Sequence, residues 1–428
     1  MESVFDKLPF KPANILLPQN CDLGLWSVVA CDQYTSQPEY WQRVEERVGR
    51  APSTLRLILP ESCLEGPSVE TDIMEINNTM TRYLREDVFA EYPNSLFYVE
   101  RTLSGGKTRR GLIGMVDLEQ YDYEPGCSAM IRATEGTVIS RIPPRVAVRK
   151  NAPIELPHVM LLADDRQRTV IEPLSGDTKK MEPLYDFELM ERGGHIRGWR
   201  LNAAQVSQVG RALQALADPE TFNAKYGTQD QSVMLFAVGD GNHSLATAKE
   251  CYERRKRLTR PEQWPGLPSR YALVELVNLH DESLEFAPIH RLLTNLDPKQ
   301  LLADLCAAIP GAYEGEGQGH VLRYLHGYTE GAVTVPDPKV QLPVATLQRF
   351  LDRWLEEHSE VNIDYIHGED VARELASRPR SIAFLLSAMG KEQLFPTVIH
   401  DGVLPRKTFS MGQAQDKRFY LEGRRIRR

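Results

Sequence analysis

Apolar and polar positions along this chain follow two periods, and the changes between them mark its elements. Short continuous apolar runs read as buried strands: Ile15 to Leu17, Leu25 to Ala30, Leu96 to Val99, Gly111 to Val116, His158 to Ala163, Val233 to Val238 and Tyr271 to Val277. Helical spacing links Trp41, Val44 and Val48, then Ile73, Ile76, Met80 and Leu84, then Val206, Val209, Leu213 and Leu216. Leu347, Phe350, Leu351, Trp354 and Leu355 form a further apolar stripe that predicts a core-facing helix. The stretch 145–175 predicts strands alternating with polar turns, and Gly311 to Gly331 reads as a glycine-rich inserted loop. This interleaving predicts a mixed α/β or α+β fold, with a boundary between two lobes in the polar region near residue 225.

The most informative junction runs from Val233 to Lys249. An apolar run ends at Gly239-Asp240-Gly241, which forces a tight turn, and Asn242 or Ser244 can then cap a helix through Leu245, Ala246, Ala248 and Lys249. Strand, glycine turn and helix start leave main-chain N–H groups at the positive end of a helix dipole, a setting that favours anions, phosphate above all. Asp240 supplies a carboxylate suited to Mg²⁺, and His243 an imidazole that can meet a phosphate oxygen. The bland alternative is a strand–helix connection with a good cap.

A second candidate is the basic stretch 132–150, with Arg132, Arg141, Arg145, Arg149 and Lys150 around Glu135. Guanidinium groups suit phosphate or carboxylate oxygens, and cations on either side keep Glu135 ionised, available as a base or metal ligand. The alternative is a solvated basic strand–loop face. His290-Arg291 reads as an exposed pair able to bind an anion, or as a loop histidine bonded to main chain. Asp32 follows an apolar run, where open α/β folds place ligand groups, and can hold a substrate amine or simply cap a turn. Arg406-Lys407-Thr408 reads as an anion contact or a surface turn.

Other chemistries lack support. Gly106-Lys107-Thr108 mimics the end of a phosphate-binding loop, but Arg101 stands where the first glycine belongs, and the flanking apolar runs predict a β-hairpin around Ser104 to Lys107. There is no H-E-x-x-H, G-x-S-x-G or G-x-G-x-x-G. Cys21, Cys31, Cys63, Cys127, Cys251 and Cys306 include no C-x-x-C pair and read as reduced thiols, with Cys31 and Cys127 lacking a histidine partner in sequence.

The 428 residues are 42% hydrophobic and 26% charged, enough for one large or two ordinary cores. A net charge of −8 argues against a nucleic-acid partner, and the cluster Arg424 to Arg428 reads as a solvated tail. No signal peptide and no membrane-length apolar stretch is evident, so a soluble cytoplasmic protein without a membrane partner is expected. Nothing in the sequence speaks to oligomeric state.

Asp240-Gly241-Asn242-His243-Ser244-Leu245-Ala246 resembles the Asp-Gly-His-His-Arg-type phosphate motif of the ParB/sulfiredoxin-like proteins, which include free-serine kinases and nucleotide-binding ParB proteins. Nearly end to end, the chain resembles a bacterial family catalogued as a domain of unknown function, number one thousand and fifteen. The residues that carry this are Arg132-Ala133-Thr134-Glu135-Gly136-Thr137, the Asp240 motif, Pro288 to Leu293 and Leu404 to Phe409. The motif's arginine is missing here, so a basic phosphate contact is expected from elsewhere. The resemblance implies a ParB/sulfiredoxin-like phosphate-binding core with additional α/β elements. On that reading residues 1–225 form a lobe bearing the Arg132–Glu135 element, and 226–428 a lobe opening with the phosphate motif. It further implies a phosphoryl-transfer enzyme on a small hydroxylated metabolite, serine kinase-like, using Mg²⁺ with ATP or ADP. Glu135, Asp240 and His243 would be catalytic, with Asp240 on the metal. Gly241, Asn242, Ser244, Arg132 and Arg141 would hold phosphate or nucleotide, and Asp32, His290 and Arg291 the substrate. The alternatives are a phosphoserine phosphatase-like hydrolase and a non-catalytic nucleotide-binding regulatory protein.

Overall fold

The computed structural model describes residues 4–64, 66–136, 142–229 and 232–427. It is mixed α/β, and it divides into two compact units, Met1–Leu284 with Gln413–Arg428, and Glu285–Gly412. The division therefore falls at Leu284 and Gln413, not near residue 225. The physical reason is strand pairing: Phe236–Asp240 lies between Ile131–Ala133 and Met160–Ala163 in one sheet, and a cut at 225 would sever that sheet.

The first unit is built on a ten-stranded sheet among the described residues. Its order is Glu182–Glu188, His195–Arg200, Phe97–Thr102, Thr108–Asp117, Tyr271–Asn278, Met160–Ala163, Phe236–Asp240, Ile131–Ala133 and Tyr121–Asp122, with Phe10–Lys11 added beside Thr108–Asp117. Phe97–Thr102 and Thr108–Asp117 form the expected hairpin around Ser104 to Lys107. Central strands carry unbroken apolar runs because both faces are covered: Phe236, Ala237 and Val238 are fully buried. The strand at Phe236–Asp240 runs parallel to Ile131–Ala133 and antiparallel to Met160–Ala163. Its end therefore meets the end of the Ile131 strand and the start of the Met160 strand at one margin of the sheet.

Several expected elements take other forms. Leu23–Trp26 is one helical turn, capped by Asp22, whose carboxylate accepts from the Gly24 N–H at 2.8 Å, and Ser27 to Ala30 follow without a ladder. That segment is apolar because it is buried, not because it pairs as a strand. The stretch after 141 opens with a helix, Ile142–Arg149, whose Ile142 and Val146 pack on Ala246. Arg424 and Arg425 do not belong to a solvated tail: they pair with Ile154–Glu155, and the buried Arg424 donates to Glu155, while Arg428 lies outside the described residues. The helices Pro38–Val48, Val69–Arg85 and Ala203–Leu216 stand where the spacing predicts them.

The second unit holds an antiparallel sheet ordered Tyr313–Glu314, Thr329–Val335, His320–His326, Ser381–Leu385, Phe286–Thr294 and Asn362–His367. Gly311 to Gly331 is thus largely strand, its glycines serving turns such as Gly327 (φ 56°). The stripe through Leu347 and Phe350 lies on the helix Pro343–Glu357 and is buried. Among the described residues, no helix is long and apolar enough to cross a membrane.

Candidate functional site

Gly241 governs the junction. It sits at φ 83°, a left-handed conformation that a side chain resists, and a Cβ there would stand 3.0 Å from the Val159 main chain. This close turn starts the helix Asn242–Lys256, and no side chain caps it. The residues expected to cap turn elsewhere. Asn242 Oδ1 accepts from the Thr134 N–H and its Nδ2 donates to Thr134 Oγ1, each at 3.3 Å, while Thr134 Oγ1 donates to the Val238 carbonyl at 2.7 Å. Ser244 Oγ lies 3.1 Å from His158 Nε2. Side chains that would have closed the helix terminus instead tie it to the neighbouring strand ends.

His158 precedes the Met160–Ala163 strand and joins three groups. Its Nδ1 is 2.9 Å from the Tyr420 hydroxyl, its Nε2 meets Ser244, and Asp32 Oδ2 stands 3.7 Å from Nε2. Tyr420 in turn accepts from the Cys31 N–H at 3.3 Å and donates to Cys31 Sγ at 3.1 Å. The bridge between Val29 and Phe419 sets Cys31 and Asp32 beside Tyr420. Burial, with the Asp32 carboxylate close by, pushes the Cys31 thiol up to about 12, so a Cys31 thiolate nucleophile is disfavoured.

Asp240 closes the other side. Its Oδ1 accepts from the Gly241 N–H at 2.9 Å, and Lys417 Nζ stands 2.9 Å from Oδ2. Burial opposes ionisation of Asp240, but the Lys417 ammonium, the neighbouring His158 and the Gly241 N–H outweigh it and hold the carboxyl below its ordinary range. Lys417 is positioned through its main chain: the buried Arg101 guanidinium donates to the carbonyls of Lys417, Gln415 and Gly193 and lies 4.9 Å from the Phe419 ring centre. Both Asp240 oxygens are thus engaged. Among the described residues, no group of three His, Cys, Asp or Glu side chains can hold a metal ion. The side chains present do not fit a protein-built Mg²⁺ cage.

The sequence candidates separate accordingly. Asp240, Gly241, Asn242, Ser244 and Asp32 meet in one region of the first unit, with His243 in the first turn of the same helix. Glu135 follows Thr134 directly and so lies one residue from the Asn242 contact. Arg132 is buried, and its Nε and Nη2 donate to the carbonyls of Ala129 and Ser232, each at 2.9 Å, so it acts as a main-chain tie. Arg145 and Arg149 are ion-paired to Glu61 and Glu155, not a solvated face. Arg141 and Thr137 lie outside the described residues.

His290 and Arg291 belong to the second unit, and the expectation of an exposed anion-binding pair fails. Both are buried in the strand Phe286–Thr294. Arg291 donates to Gln348 and to the carbonyls of Ile289, Arg406 and Lys407, and His290 Nδ1 accepts from the Leu386 N–H at 3.1 Å. The Arg406–Lys407 turn is therefore held by Arg291 through main chain. Sequence reading missed His158, Lys417 and Tyr420. Only His158, at the head of an apolar run, carried any local signal.

Strand, left-handed glycine and uncapped helix, flanked by an ammonium, an imidazole and carboxylates, define a mixed α/β protein with a candidate anion site. A family described as protein of unknown function (DUF1015) matches residues 9–354, and the chain belongs to it. No curated protein matches the chain. Among solved structures it is similar to a conserved hypothetical protein from Pyrococcus furiosus at 12% identity and TM-score 0.35, covering 70% of this chain and 90% of that one. It is similar to a free serine kinase mutant in complex with AMP at 11% identity and TM-score 0.40, covering 73% and 90%. A third is SbnI from Staphylococcus aureus, at 10% identity and TM-score 0.37, covering 70% and 82%.

Proposed function

We propose that this protein is a phosphoryl-transfer enzyme acting on a small hydroxylated metabolite of amino-acid size, serine kinase-like, with ATP or ADP as the nucleotide. The observation that carries this reading is the uncapped start of the helix Asn242–Lys256 behind left-handed Gly241, with the Lys417 ammonium 2.9 Å from Asp240. Main-chain N–H groups of the first helical turn, His243 and Lys417 hold phosphate oxygens, and Lys417 supplies the basic contact that the motif itself lacks. Asp240 orients Lys417. The hydroxyl proton passes to a carboxylate. Glu135, which follows Thr134 and its contact with Asn242, and Asp32, 3.7 Å from His158, are the candidates for that acceptor. Phosphoryl transfer needs mainly positioning and charge stabilisation, which this set supplies. Among the described residues no side-chain cage for Mg²⁺ is built.

The test is ³¹P NMR of the protein with ATP and L-serine, and separately with phosphoserine, with and without ADP, all with Mg²⁺ in the buffer. Phosphoserine formed from serine, or ATP regained from phosphoserine and ADP, supports the kinase. Inorganic phosphate from phosphoserine alone would make it a hydrolase. Unchanged spectra across small hydroxylated metabolites would reject phosphoryl transfer and leave a nucleotide-binding regulatory protein. Glu135→Gln and Asp32→Asn then identify the base, since the true one loses turnover about 10²-fold or more while nucleotide binding persists.

A further inference from the structure

Next to Ser244 and His158 the first unit contains a cleft of about 160 Å³. Its walls include Leu57, Ile58, Met80, Val148, Leu245 and Ala248, and its lining takes in His158, Ser244 and Tyr420. The walls come from separate stretches of chain: the turn around Leu57, the helix Val69–Arg85, the helix Ile142–Arg149 and the helix Asn242–Lys256. Charged groups in the lining are matched to one another. Arg145 is ion-paired with Glu61, and the Glu155 carboxylate is taken up by Arg149, Arg424 and the Leu273 N–H. The cleft thus offers aliphatic surface along its walls and, beside His158, the Ser244 hydroxyl as a hydrogen-bonding group with capacity beyond its His158 contact.

An apolar cavity of about 150 Å³ holds a six-carbon ring, whereas one hydroxymethyl carbon would leave such a space largely empty. We infer that the acceptor of the proposed transfer carries a compact aliphatic group of up to about six carbons, seated in this cleft with its hydroxyl toward His158 and Ser244. The inference rests on the phosphoryl-transfer reading for the reaction, and on the cleft alone for the aliphatic group. It sets the substrate class apart from serine itself.

Straight-chain primary alcohols from ethanol to octanol, titrated into protein carrying ¹³C-methyl Met, Ile, Leu and Ala, test it. The Met80, Ile58, Leu245 and Ala248 methyl resonances are expected to shift together. The dissociation constant should fall about three- to fourfold per methylene, the equivalent of about 0.8 kcal/mol, through hexanol and no further. Ala248→Leu, which narrows the cleft, should move that limit back by about three carbons. The wild-type series decides the question even if the variant does not fold. Methyl resonances that stay unmoved with every alcohol, or an affinity independent of chain length, would overturn the inference. ³¹P spectra of the same samples with ATP separate it from the underlying reading. Methyl shifts with no phosphorylated alcohol leave the cleft assignment standing and count against transfer. Phosphorylated alcohol without methyl shifts does the reverse.

Discussion

Lys417 Nζ lies 2.9 Å from Asp240 Oδ2, across 177 positions of sequence. The pair joins the strand–helix junction to the segment that re-enters the first unit after Gly412. Lys417→Met should raise the Asp240 titration midpoint, since burial would then act against only the His158 and Gly241 contributions. Asp240 has a depressed folded value, so its stabilising contribution is present above the ordinary carboxylate range and lost as pH falls through the folded value. The variant should lose about 1–2 kcal/mol at pH 7, less than for a fully buried pair because the side chains are 19% and 25% exposed, and the gap should close in acid. Urea unfolding at several pH values, with ¹³C detection of the Asp240 carboxyl, measures both effects.

Arg101 holds the same segment from beneath. Its three main-chain acceptors leave a planar fork that lysine cannot reproduce. Arg101→Lys and Arg101→Met should each cost about 3 kcal/mol or more and speed amide exchange at residues 415–420 ahead of the sheet. Exchange that accelerates uniformly across the unit would contradict the assigned role.

Gly241→Ala forces a Cβ into left-handed backbone and toward Val159. A loss of about 1–3 kcal/mol is expected, with any phosphoryl transfer falling more steeply than stability, because Val159 carries the neighbouring His158 with it. Paired thermal melts and turnover measurements would show the two losses diverging.

In the second unit, burial lowers the His290 imidazole, reinforced by Arg291 and His367 and opposed by Glu369. The unfolded chain takes up the proton first as pH falls. The stabilising contribution is therefore complete above the ordinary imidazole range and declines through it. His290→Asn, which retains an acceptor for the Leu386 N–H, should flatten the stability profile between pH 7.5 and about 5. Trp354 fluorescence in urea is the readout, and an unchanged slope would remove His290 as the cause.

How far the sequence reaches is visible residue by residue. The run to Val238, the turn at Gly241 and the helix beyond are local, and periodicity places them within a few residues. Membership of the family follows from the motifs, and the match over 9–354 bears it out. Lys417 and Tyr420 were invisible because their partners lie 177 and 262 positions away and only the fold joins them. Asn242 and Ser244 have the residue types of caps, yet tertiary partners claim their side chains. His290-Arg291 misled for the opposite reason: a charged pair reads as exposed until main-chain carbonyls from a distant turn are seen to satisfy the guanidinium.

The insertion of the second unit between Leu284 and Gln413 has a consequence for biosynthesis. On the ribosome, the sheet that bears Asp240 and His158 can begin to form once Asn278 has emerged, but the ammonium and phenol that complete the cluster arrive more than a hundred residues later. During that interval Asp240 lacks its counter-ion and His158 lacks Tyr420. A nascent chain arrested before Lys417 would carry the strand–helix junction and all ten strands of its sheet with the Asp240–His158 cluster unfinished, so the cluster closes only after the inserted unit has been synthesised.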